Sequence, residues 1–154
     1  MTTIRRPLIP GLALVLLSAC GDAPDPMALP PEQRNYDTAR LLSGEQLFNQ
    51  YCASCHGPGA TGAPNWRQRD SDGRFPPPPL NGSAHTWHHP LAQLRHTIKN
   101  GGPPGASNMP AWGSTLSDEQ IDDIILWFQS LWSLEVYQTW YSMEQNAKER
   151  RKNN

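Results

Sequence analysis

Cys52, Cys55 and His56 fall within one short stretch, YCASCHG. Two thiols separated by two residues, with an imidazole directly after, can do three kinds of chemistry. They can hold zinc, but a structural zinc site takes four ligands, usually from two such pairs, and the chain has no second pair. They can shuttle electrons as a dithiol, but that chemistry follows a strand in a βαβ unit and gives the histidine no task. They can carry covalent haem. Each thiol then adds to one porphyrin vinyl, the two intervening residues match the vinyl separation, and His56 lies beneath the iron. The C-x-x-C-H pattern uses all three residues and favours this reading.

Haem iron takes a sixth ligand or keeps an open position. Met109, in the loop SNMPAW, is the candidate. A lone methionine is ordinarily a core residue. Its place between Asn108 and Pro110, on a loop before a strong helix, points instead to an iron-facing thioether, which raises the reduction potential. A further group, His85, His88 and His89 in HTWHHP, together with His96, reads as exposed polar residues and helix-start caps. A copper site is the sharper reading, because imidazole suits copper, although adjacent His88 and His89 do not easily chelate from one helix face.

The third cysteine belongs to a different feature. Arg5 and Arg6 precede PLIPGLALVLLSA, an apolar run with the layout of a signal peptide and too short to serve as a membrane-spanning helix. Leu17, Ser18, Ala19 and Cys20 resemble the lipobox of bacterial lipoprotein precursors, which implies cleavage before Cys20 and lipidation of its thiol. Acyl chains anchor by about 0.8 kcal/mol per buried methylene. The expected organisation is a signal peptide over 1–19, a lipid-anchored proline-rich tether over 20–40, a folded domain over 41–132, and a helical extension with a basic tail over 133–154. Export places the chain on the periplasmic side of a bacterial membrane, an oxidising compartment.

Helices must position these residues. Ser43 and Gln46 form a capping-box pattern, and Leu47, Phe48 and Tyr51 share a face, so the spacing predicts a helix over about 44–53 that runs into the cysteines. Residues 57–83 read as loop, with a solvated charged insert in RQRDSDGR and a proline run that excludes helix. A short helix follows Pro90 and stops at Gly101, with Leu91, Leu94 and Ile98 buried and Trp87 in the core. Ser117 and Gln120 form a second capping box, opening a helix whose core stripe is Ile121, Ile124, Ile125, Phe128, Leu131 and Trp132. Val136, Tyr137, Trp140 and Tyr141 repeat the pattern more weakly, and KERRKNN reads as a frayed basic tail. No stretch reads as a strand. The fold class is therefore all-α with long loops.

The order of these pieces resembles the single-haem class I c-type cytochromes over residues 41–132. GEQLFNQYCASCHG, PPLNG, NMP and LSDEQIDDIILWFQSL carry the resemblance. It implies a cytochrome c-like helical cup around one covalent haem. The first and last helices of the cup would cross at Gly44, where Phe128 or a neighbour approaches closely. The carbonyl of Pro78 would accept the Nδ1 hydrogen of His56, and Leu80 would pack on the ring. The charged insert and the helix after Trp132 depart from the minimal pattern.

Composition limits partners. Of 13 basic residues, removal of Arg5 and Arg6 leaves 11 against 14 acidic, a net charge of −3. Nothing points to nucleic acid, and Lys99 is the only lysine before the tail, so no lysine ring offers itself for docking. The expected function is a membrane-tethered one-electron carrier between redox proteins, with no small-molecule substrate and no enzymatic activity. The alternatives are a fixed haem subunit of an oxidase or dehydrogenase, a haem enzyme or sensor with an open sixth position, and a copper-handling lipoprotein.

Overall fold

The computed structural model of the chain describes residues 25–153. The stretch expected to be a signal peptide and Cys20 lie outside them. Five α-helices follow in order: α1 Thr38–Tyr51, α2 Ala53–His56, α3 Leu91–Asn100, α4 Asp118–Ser130 and α5 Leu134–Lys152. Single 3₁₀ turns stand at Pro31–Gln33, Pro58–Ala60 and Thr86–His88. Among the described residues there is no strand, and no helix is long and apolar enough to cross a membrane. The fold is all-α.

The core forms where α1 crosses α4. Gly44 makes the crossing close: a Cβ there would lie 2.0 Å from the Asp123 carbonyl oxygen and 2.8 Å from Trp127 Cβ. Asp123 and Trp127, not Phe128, are thus the residues that approach. Phe48, fully buried, packs on Trp127 with ring centroids 4.5 Å apart. Arg40 reaches across to Asp123 at 2.6 Å. This pairing helps explain why α1 begins at Thr38 rather than near residue 44. Asp37 caps it by accepting the Ala39 N–H at 2.7 Å, and Ser43 sits inside the helix instead of at its start.

α4 opens on the expected capping box. The Ser117 N–H donates to Gln120 Oε1 at 2.9 Å, and the Gln120 N–H donates back to Ser117 Oγ at 3.2 Å. Its buried surface is wider than one stripe, because Leu126, Trp127 and Gln129 are buried along with Ile121, Ile124, Ile125 and Phe128. Leu131, read into the stripe, is exposed. The chain turns there, and Trp132 takes the inward place.

The segment 25–36 also packs against the core. A tether was expected over 20–40, yet Met27 and Ala28 are 2% and 3% exposed. The Arg34 guanidinium donates to the carbonyls of Gln129 and Trp132, closing the end of α4, and lies 4.4 Å over the Tyr137 ring. The proline-rich composition conceals these contacts, since each is made by one residue to a distant helix.

α5 is the expected added helix, but it continues to Lys152 through the basic tail rather than fraying. Tyr137, Trp140, Glu144 and Ala147 face inward. Trp140 Nε1–H donates to the His89 carbonyl at 3.1 Å and Tyr137 Oη–H to the Leu29 carbonyl at 3.0 Å. Glu144, 1% exposed, accepts the free Leu91 N–H at the start of α3 at 2.9 Å. A carboxylate supplied by a distant helix thus satisfies an N-terminal donor of α3, where the helix dipole favours negative charge.

Candidate functional site

Cys52 sits at the break between α1 and α2. Its N–H still bonds to the Phe48 carbonyl at 2.8 Å, while its own carbonyl accepts from Cys55 at 3.1 Å and from His56 at 2.8 Å. This single turn places Cys52 and Cys55 one helical step apart, both as free thiols. Gly57, at φ +73°, ends the turn in a conformation that suits glycine. Cys55 is exposed, and Cys52 is half-buried. Burial first, and then the neighbouring Cys55, push the Cys52 thiol up to about 11.

His56 is 8% exposed, and its Nδ1 lies 2.9 Å from the Pro78 carbonyl oxygen. A carbonyl can only accept, so Nδ1 carries the hydrogen and Nε2 keeps its lone pair. Burial holds the imidazole below its ordinary pKa, partly offset by the Pro78 bond. The side chain is therefore a neutral imidazole whose Nδ1 is fixed by the Pro78 carbonyl.

Two stretches of the long loop 57–83 build this contact. The Gly62 N–H donates to the His56 carbonyl at 2.6 Å, the Ala63 N–H to Pro77 at 2.9 Å, and the Leu80 N–H to Ala60 at 2.9 Å. Gly62, at φ +71°, lets the strands of loop touch: a Cβ there would lie 2.3 Å from Pro79 N. The proline run is clamped from its other side. Thr86 Oγ1–H donates to Pro79 at 3.0 Å and Trp132 Nε1–H to Leu80 at 2.7 Å. Gly62, Thr86 and Trp132 are positioning residues that sequence reasoning missed, because their partners are backbone carbonyls with no side-chain signature.

Met109 is half-buried and packs on the edge of the core, as do Leu80, Tyr51, Cys52 and Trp112. Its loop is hydrogen-bonded, but not through Asn108, which is exposed. The Met109 N–H donates to Ser107 Oγ at 3.0 Å, and the Met109 carbonyl accepts from Gly102 at 3.0 Å. Trp112 locks the next residues, donating its N–H to Ile98 at 3.0 Å and meeting Tyr51 edge-on at 5.4 Å.

The histidine group divides. His85 and His89 lie 5.5 Å apart by ring centroid, and Trp66 of the insert region stacks on His85 at 5.3 Å. His88 packs instead on the half-buried Trp87 at 3.8 Å. Among the described residues, no three His, Cys, Asp or Glu side chains are grouped to hold a metal ion. A surface groove between α3 and α4, lined by Arg95, Lys99, Asp118 and Asp122 among others, contains none of the cysteine-site residues. Its charges pair internally, Arg95 with Asp122 at 2.5 Å and Lys99 with Asp118 at 2.6 Å.

A family model described as cytochrome c oxidase, cbb3-type, subunit III matches residues 39–128. The chain belongs to this family. This cbb3-type cytochrome c domain is 30% identical over 95 residues to the cbb3-type cytochrome c oxidase subunit CcoP of Azospirillum sp. (strain B510). That match takes in 62% of the chain and only 30% of the relative's length. The domain is also similar to the crystal structure of cytochrome CL from the marine methylotroph Methylophaga aminisulfidivorans MPT. The TM-score is 0.51 at 25% identity, covering 72% of this chain and 66% of that one. The helical architecture is that of a cytochrome c, and the domain is a haem electron carrier.

Haem is the group that the family implies, and the donor set fits it. Two free thiols one helical step apart precede a neutral, oriented imidazole with an open nitrogen. A half-buried thioether stands on a hydrogen-bonded loop.

Proposed function

We propose that this chain is a membrane-tethered, single-haem c-type cytochrome that passes one electron at a time between respiratory or periplasmic redox proteins. The carrying observation is the hydrogen bond from His56 Nδ1 to Pro78 at 2.9 Å, on the turn that presents Cys52 and Cys55. In this reading the sulfurs of Cys52 and Cys55 would hold the haem, each through one thioether bond. His56 would hold the iron through Nε2, and Met109 through its sulfur. The carbonyl of Pro78 holds the imidazole's tautomer and raises its basicity. Leu80 packs on the macrocycle, with its backbone held by Ala60 and Trp132. Bound haem supplies an iron centre that alternates between ferrous and ferric states. His56 and Met109 would be the two side chains that hold the iron, and neither role calls for a small-molecule substrate.

Met109 variants test the ligand assignment. Met109→His should keep a low-spin haem and lower the reduction potential by on the order of 100 mV, a fraction of the roughly 0.8 V that axial ligands span. Met109→Ala should bind carbon monoxide readily. Unchanged potential and carbon monoxide binding in the alanine variant would assign the sixth position to another group.

Cys20 is the proposed anchor. Cys20→Ala should leave an uncleaved precursor or release the domain from the membrane fraction. A processed protein that stays in the membrane would end this assignment.

A second reading is that the chain serves as a fixed haem subunit of an oxidase. It is supported by the family description and by the Azospirillum relative, which is named as an oxidase subunit. Co-purification from mildly solubilised membranes separates the two readings. A carrier leaves alone, whereas a subunit brings its complex.

A further inference from the structure

We propose that the last turn of α5 rests on an anionic phospholipid surface and that the start of the folded chain holds it there. The inference depends on the lipidation of Cys20 proposed above. Asp25 follows Cys20 by five residues, which reach at most about 18 Å when fully extended.

Asp25 belongs to the folded body. Its carboxylate accepts the Met27 N–H at 2.9 Å and its carbonyl accepts the Ala28 N–H at 2.8 Å, while Met27 and Ala28 are buried. The same carboxylate lies 3.6 Å from Lys148 Nζ. The exit of the tether is therefore the neighbour of the C-terminal end of α5.

That end is basic. Lys148, Arg150, Arg151 and Lys152 stand within five positions, interrupted only by Glu149. Lys148 pairs with Asp25, Lys152 with Glu149 at 3.5 Å, and Arg151 with the buried Glu144 at 3.4 Å, so four bases face three acids. The end keeps a positive balance on a mature chain that is net acidic. An anionic surface repels such a chain as a whole, and this end is the attractive surface that adjoins the exit of the tether.

Distance decides whether the attraction is felt, since salt screens charge over about 8 Å at physiological ionic strength. A twenty-residue tether would let the basic turn stand well clear of the lipid. A five-residue tether keeps it near the headgroups, where each Lys or Arg adds to binding.

The test uses the full mature protein with lipid and haem attached and Asn153→Cys as its one remaining free thiol. The new cysteine is labelled with a fluorophore, and the protein is reconstituted into phosphatidylglycerol or phosphatidylcholine vesicles that carry a headgroup quencher. Quenching is expected to be about threefold greater on phosphatidylglycerol, and high salt or Arg150→Glu with Lys152→Glu should remove the difference. A protein that floats with the vesicles yet is quenched equally on both lipids, or on neither, overturns the inference while leaving the anchor intact. A protein that fails to float on either overturns the anchor reading and the inference with it.

Discussion

A chain carrying Cys52→Ala together with Cys55→Ala is expected to hold no covalent haem and to accumulate at least about tenfold less than the unmutated protein. The thiols leave the break between α1 and α2, where Cys52 is tied to Phe48 through the backbone and packs on the edge of the core. A group that binds only the folded state stabilises it, and its loss removes that contribution entirely. Half-buried Tyr51, Leu80, Met109 and Trp112 would then keep apolar surface in water. Haem staining of denatured protein on a gel measures the attachment directly. Haem that acidified organic solvent extracts from the unmutated protein would show that the thioether assignment is wrong.

Gly44→Ala should be strongly damaging to the fold, costing about 3 kcal/mol or more. The added Cβ would stand 2.0 Å from a backbone oxygen of Asp123, and backbone cannot rotate aside as a side chain can. α1 and α4 would have to separate, parting Phe48 from Trp127 and Arg40 from Asp123. A denaturant melt of the purified domain reads the loss, and an unchanged midpoint would mean that the crossing is looser than its geometry. By contrast, Gly59→Ala places its Cβ in open space, so only the strain of φ +62° remains, and its cost should be clearly smaller.

The two results bear on different links of the same chain of cause. Gly44 sets how α1 meets α4, and α1 delivers the cysteine turn. The turn delivers His56 to Pro78, and that bond leaves Nε2 for the proposed ligation. A change at the crossing is therefore expected to disturb haem ligation without touching a ligand.

Some of this was determined by sequence alone. The spacing of Cys52, Cys55 and His56 is local chemistry: two residues between thiols make one helical step, and no distant residue alters that. The Ser117 and Gln120 box and the stripe from Ile121 to Phe128 are local for the same reason, because capping and helical periodicity act within a turn or two. The tertiary structure decided what depends on pairing across long separations. Arg34 closes α4 from nearly a hundred positions away, Glu144 satisfies the start of α3, and Met27 enters the core from a segment whose prolines read as tether. The loops 57–63 and 76–81 became a scaffold only when glycine at 62 let their backbones touch, since hydrogen bonds between main chains leave no mark on residue type. The ring that each histidine packs on was decided in the same way, Trp66 for His85 and Trp87 for His88.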